Sequence, residues 1–85
     1  EKLKELMEFP TQLTFKVAGV NRENLAQDLI SVVQRYVPGD YIPKEKPSSK
    51  GTYNSVSIDV LVDNFEQVET LYKELAKVDG VKMVI

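Results

Sequence analysis

The 85 residues include no cysteine, no histidine and no tryptophan. Without cysteine there is neither a disulfide framework nor a thiolate metal site. Without histidine the commonest general base and the commonest transition-metal ligand are lost together. An all-oxygen metal site is what remains, and no run of carboxylates has the spacing of a calcium loop. No metal and no cofactor is therefore expected. Long apolar runs are also missing; the longest stretches fall far short of a membrane span. The segment from Glu1 to Glu8 is charged and has no signal-peptide core, so the expected location is cytoplasmic.

An excess of one charge is missing too. Eleven basic and 13 acidic residues give a net charge of −2 and are well interleaved. A nucleic-acid binder usually concentrates a basic excess on one face. Here only Lys44, Lys46 and Lys50 cluster, with Glu45 among them, which argues against a nucleic-acid partner.

What is present is one domain's worth of chain with a hydrophobic share of 42%, enough for one core between two layers. Residues 1–9 read as an N-terminal extension, a short helical turn carrying Leu3, Leu6 and Met7 that Pro10 stops. From Thr11 to Val20 the pattern has period two, with Leu13, Phe15 and Val17 inward and Thr14, Lys16 and Ala18 outward. Asn21 is the expected N-cap of a first helix, flanked by Val20 and Leu25 at the staple positions. That helix carries Leu25, Leu29, Val32, Val33 and Tyr36 on one stripe and ends at Pro38-Gly39.

Tyr41 to Pro47 contains two prolines that cannot donate to a ladder, so this strand belongs at a sheet edge. Ser48-Ser49-Lys50-Gly51 reads as a hairpin turn with Gly51 at positive φ. Thr52 to Val62 alternates again, Val56, Ile58, Val60 and Val62 inward and Ser55, Ser57 and Asp59 outward. Asp63 or Asn64 caps a second helix with Glu66 or Gln67 completing a capping box. Phe65, Val68, Leu71, Tyr72 and Leu75 form its buried stripe, and Glu69 and Lys73 form an i,i+4 pair on its wet side. Gly80 turns the chain into a last strand, Val81 to Ile85.

Two helices with single apolar stripes cover one face of a four-stranded sheet. Right-handed crossovers then specify an α+β two-layer sandwich, βαββαβ and ferredoxin-like, antiparallel in the order 4-1-3-2.

Glu8-Phe9-Pro10, Val32-Val33-Gln34-Arg35, Pro38-Gly39-Asp40-Tyr41, Lys46-Pro47-Ser48-Ser49-Lys50-Gly51, Ser55-Val56-Ser57 and Val68-Glu69-Thr70-Leu71-Tyr72 span nearly the whole chain. In these stretches it closely resembles the YbeD-like family of small bacterial proteins. The resemblance implies a fold like that of ACT-type regulatory domains, and it supplies no catalytic residues to carry over.

Three further stretches bear on chemistry. Gly19, Asn21 and Arg22 resemble the ligand loop of ACT domains, where exposed N–H groups at a helix start receive a carboxylate. Glu23 and Asn24 stand where those domains have Pro-Gly; the alternative is a strand-to-helix turn with its cap. The same loop resembles the phosphate loop of acylphosphatases, but Arg22 falls one residue early and no partner asparagine lies on the third strand. Lys50 to Ser57 begins like an RNA-recognition motif, yet Thr52, Asn54 and Ser57 occupy the remaining aromatic positions.

The hairpin Lys46, Ser48, Ser49, Lys50 and Gly51 could hold an anion or an acidic partner segment, or be a solvated tip. The uncovered sheet face, with Thr14, Lys16, Ala18, Ser55, Ser57, Lys82 and Val84, is expected to meet another protein or, weakly, a second copy. The expectation is a non-enzymatic regulatory or protein-interaction module. The alternative is a domain of ACT type that senses a small-molecule ligand, followed by RNA binding and a hydrolase.

Overall fold

The computed structural model describes residues 7–85; most of the helical turn expected over residues 1–9 lies outside the described residues. The elements follow in the order β1 (Thr11–Val20), α1 (Leu25–Tyr36), β2 (Lys44–Pro47), β3 (Tyr53–Val62), α2 (Phe65–Leu75) and β4 (Val81–Val84). The strands form one sheet in the order β2-β3-β1-β4, antiparallel throughout, the topology that the two periodicities require.

The central pair β1 and β3 is aligned over ten residues, from Thr11 opposite Val62 to Val20 opposite Tyr53. Phe15 therefore faces Ile58 and Val17 faces Val56, all fully buried beneath the helices. Leu25, Leu29 and Val33 of α1 and Val68, Leu71 and Leu75 of α2 close the core from above. Val32 and Tyr36, expected in the same stripe, are only partly buried at its margin. Tyr72 is 40% exposed, not buried as its spacing suggested. Its ring leans on Phe15 at a centroid distance of 5.1 Å, so it covers the core from outside.

Helix α2 starts as its sequence specifies. Asn64 caps it by accepting from the Gln67 N–H at 2.9 Å, and the Gln67 side chain reaches back to the Asp63 N–H at 2.8 Å. No ion pair joins Glu69 to Lys73 among the described residues; at the C-terminal end of the helix the partly buried Glu74 pairs with Lys77, just past Leu75, at 2.9 Å. Helix α1 starts differently. Asn21 is not its cap: β1 runs on to Val20 and the helix opens only at Leu25, behind Asn24, whose side chain makes no capping bond. The strand β2 is shorter than expected, four residues at the sheet edge; Pro43 just before it has no N–H to pair, and Tyr41 turns to α1, donating its hydroxyl to the Val37 carbonyl at 2.7 Å.

Gly51 and Gly80 hold positive φ, +72° and +85°, as the turn assignments require. Gly19 is needed for space instead. A Cβ there would lie 3.0 Å from the Gly80 carbonyl oxygen and 3.3 Å from both Leu25 Cδ2 and Val81 Cα.

Two stability outcomes follow. Ile58→Ala should lower the unfolding free energy by about 2–5 kcal/mol in urea denaturation, since the side chain has no exposure; a loss below ~0.5 kcal/mol contradicts this placement of β3. Gly19→Ala should cost about 1–3 kcal/mol by overpacking against β4, and an unchanged denaturation midpoint would mean that the β4 backbone yields freely.

Candidate functional site

Side chains directly opposite in an antiparallel sheet share a face, so the pairing register writes out the uncovered surface row by row. One row crosses the sheet as Lys44, Ser57, Lys16 and Ile85, the last fixed by paired backbone bonds between Lys16 and Ile85. The next runs Lys46, Ser55, Ala18, Met83, and a third pairs Tyr53 with Val20. Beyond Ser57 lie Asp59 and Thr14, whose hydroxyl donates to the Asp59 carboxylate. Of the surface residues expected from sequence, Thr14, Lys16, Ala18, Ser55 and Ser57 stand here.

Val84 does not. It lies opposite Val17, on the helical side, and packs against the core. The pairing shifts between Ala18 and Gly19, which meet Met83 and Val81, so Lys82 is the extra residue of a bulge at the sheet edge. The open face receives Met83 and Ile85 instead, 56% and 58% exposed. A four-residue strand with one bulge has no alternation from which this phase can be read.

The face is chemically divided. Its β2 edge carries Lys44 and Lys46, with Lys50 at the adjoining hairpin tip, while Lys16 stands on β1 between Ser57 and Ile85. Toward β4 the face carries Val20, Met83 and Ile85 around Ala18. None of the four lysines has an ion-pair partner among the described residues. Two adjoining hollows open where the hairpin meets the sheet. One of about 280 Å³ is lined by Lys16, Lys46, Pro47, Ser48, Tyr53 and Ser55. The other, about 210 Å³, is lined by Ser48, Ser49, Lys50, Thr52 and Tyr53.

The hairpin and the loop after β1 come together. Asn21 donates its side-chain amide to the Gly51 carbonyl and its backbone N–H to the Thr52 carbonyl, both at 3.0 Å. The hairpin also uses its own donors: Ser48 N–H bonds Tyr53 O, Gly51 N–H bonds Ser48 O, and Tyr53 N–H bonds Ser48 Oγ. Those three N–H groups are thus committed inside the turn.

Arg22 is committed as well. Its Nε donates to the Asp79 carbonyl at 3.1 Å, and its guanidinium lies 2.8 Å from the Asp28 carboxylate, an ion pair without hydrogen-bond alignment. Gly19 is filled by its neighbours. Gly19, Asn21 and Arg22 thus join β1, α1, the hairpin and the β4 approach, while Lys46, Ser49 and Lys50 remain exposed.

Sequence reasoning missed Asn54. It continues the inward phase of Val56 and Ile58 and is 3% exposed, donating its amide to Glu45 Oε1 at 2.9 Å while its own carbonyl oxygen has no partner. The alternation of β3, carried two residues further back, was the available signal. Asn54 ties the edge strand to the centre of the sheet. Displaced titration falls in and beside the helical layer. The hydrogen bond from Lys77 holds Glu74 below the usual carboxylate range, and burial raises Tyr41.

Among solved structures, the fold is similar to the ACT domain from GTP pyrophosphokinase of Chlorobium tepidum. The TM-score is 0.64 at 19% identity, covering 87% of this chain and 94% of that one. It is also similar to protein HP0495 from H. pylori, with TM-score 0.74, 14% identity and coverage of 93% and 85%. These likenesses establish the fold. Curated relatives are much nearer: a UPF0250 protein of Haemophilus influenzae is 81% identical over 84 residues, 99% of this chain and 91% of that protein. A UPF0250 protein of Pasteurella multocida is 61% identical over 84 residues, 99% of this chain and 96% of its own. The family described as "Protein of unknown function (DUF493)" matches residues 4–85, and the chain belongs to that family.

Proposed function

We propose that the chain is a non-enzymatic regulatory or protein-interaction module of the cytosol that meets its partner through the open face of the sheet. The observation that carries this reading is the division of that face, where Lys16, Lys44 and Lys46, without an ion-pair partner among the described residues, share the surface with exposed Val20, Met83 and Ile85. Apolar side chains on a rigid, helix-backed surface give a partner something to bury, and charges beside them set orientation. The likeness to an ACT domain within a GTP pyrophosphokinase fits a regulatory role. The residues that a ligand-sensing or hydrolytic reading would employ, Gly19 and Arg22, are engaged in packing and pairing.

Ser57→Glu introduces a bulkier side chain of opposite charge between Lys44 and Lys16 at the middle of this surface. It should abolish specific capture of partner proteins from native cytosol, quantified by mass spectrometry, while changing stability by no more than ~0.5 kcal/mol as surface substitutions do. Arg22→Ala should leave capture intact. Sedimentation equilibrium on the wild type separates a self-partner from another protein. Undiminished capture by Ser57→Glu, together with a monomeric wild type, overturns the reading.

A further inference from the structure

Taking the open face as the contact surface, we infer the chemistry of its occupant: an acidic, amphipathic protein segment lying across the strands. Its carboxylates sit over β2 and reach in to Lys16 on β1, and its apolar residues meet the β4 side.

The spacing of the cations is set by the sheet. Lys44 and Lys46 are alternate residues of β2, about 6.6–6.8 Å apart along the strand, and Lys16 lies two strands from Lys44, about 9.5 Å away. A segment crossing the strands meets the ~9.5 Å interval between Lys44 and Lys16, which residues two turns apart on a helix (~10.5 Å) or same-side residues of an extended chain (~6.6–6.8 Å) approach within the span of flexible lysine stems. Either conformation places carboxylates within reach of these ammonium groups. The hollow beside them is lined by donors, from Lys16, Lys46, Ser48, Tyr53 and Ser55, which suits a carboxylate that only accepts.

Among the described residues no carboxylate forms an ion pair with these cations. Asp59, the carboxylate nearest on the face, accepts from Thr14, and Glu45 points to the other side of β2, held by Asn54. The described residues thus leave these ammonium groups open to a partner's carboxylates.

The apolar half decides between an acidic protein segment and a nucleic acid. A phosphodiester chain would engage the lysines but leave Val20, Met83 and Ile85 uncovered. Tyr53 is the one aromatic ring that the register puts on this face, whereas single-strand binders stack successive bases on several. A segment carrying both glutamates and leucines covers both halves.

Exposed ion pairs contribute little each and mainly speed encounter, so binding should weaken with salt. The probe is a fluorescently labelled synthetic peptide of glutamates interspersed with leucines, read by anisotropy. Controls are the same peptide with glutamine for glutamate and a single-stranded oligouridine. The acidic peptide should bind more tightly than either control, and more weakly as salt rises. The triple variant K16E/K44E/K46E should lose about tenfold in affinity, and Met83→Ser should weaken binding without changing its salt dependence. Circular dichroism confirms that both variants are folded.

Equal binding of the glutamine peptide, tighter binding of the oligouridine, or an unaffected triple variant overturns the inference. If the acidic probe fails while Ser57→Glu still abolishes capture from cytosol, the acidic-partner inference fails and the contact surface stands. If Ser57→Glu changes neither, both fall.

Discussion

The ten-residue ladder between β1 and β3 is the constraint on which everything else depends. It sets Phe15 against Ile58 and Val17 against Val56 beneath the helices, and by the same act sets Lys16 against Ser57 and Ala18 against Ser55 above open water. A slip of one residue would exchange the two faces entirely. The register is held because the buried set is large: Val56, Ile58, Val60 and Val62 have no exposure, and each such side chain contributes roughly 1.5–3 kcal/mol by leaving water. The core and the candidate surface are consequences of one pairing.

The parts legible in the sequence are those where a long period meets a strong apolar pattern. Both ten-residue strands, the two helical stripes and the edge position of the proline strand belong to this class, and the strand order follows from them. Legibility fails where a tertiary contact overrides a local signal. Asn21 has the composition of a cap, yet two carbonyls of the hairpin, Gly51 and Thr52, draw it across the sheet end and the helix begins without it. Val84 looked outward because Lys82 did, and a bulge that no four-residue pattern reveals separates the two. Tyr72 sat at the right spacing, but its ring is large enough to lean on Phe15 from outside.

The loop that most resembled a ligand site is the junction of the fold. Gly19 lets the β4 backbone and Leu25 approach, Asn21 latches the hairpin, and Arg22 spans from Asp28 to the Asp79 carbonyl. A glycine, a short amide and an arginine at a strand end serve ligand binding and chain clamping equally well, because both need close backbone approach and directed donors. Composition alone does not separate the two uses; the partners that each group has found do.

Lysines on a β-sheet have an ordinary explanation, protection of an exposed edge against pairing with other chains. That explanation covers Lys44 and Lys46, which lie with Pro47 on the edge strand β2, and Lys82, which lies on the edge strand β4. It does not cover Lys16. Its strand is flanked by β3 and β4, so both its backbone edges are occupied and there is nothing for the charge to protect. Solubility alone also fails to account for its surroundings, since it stands directly opposite Ile85, which with Met83 remains more than half exposed. A cation in the middle of a sheet, with one flank basic and the other apolar, is the arrangement expected where a surface must orient what it binds.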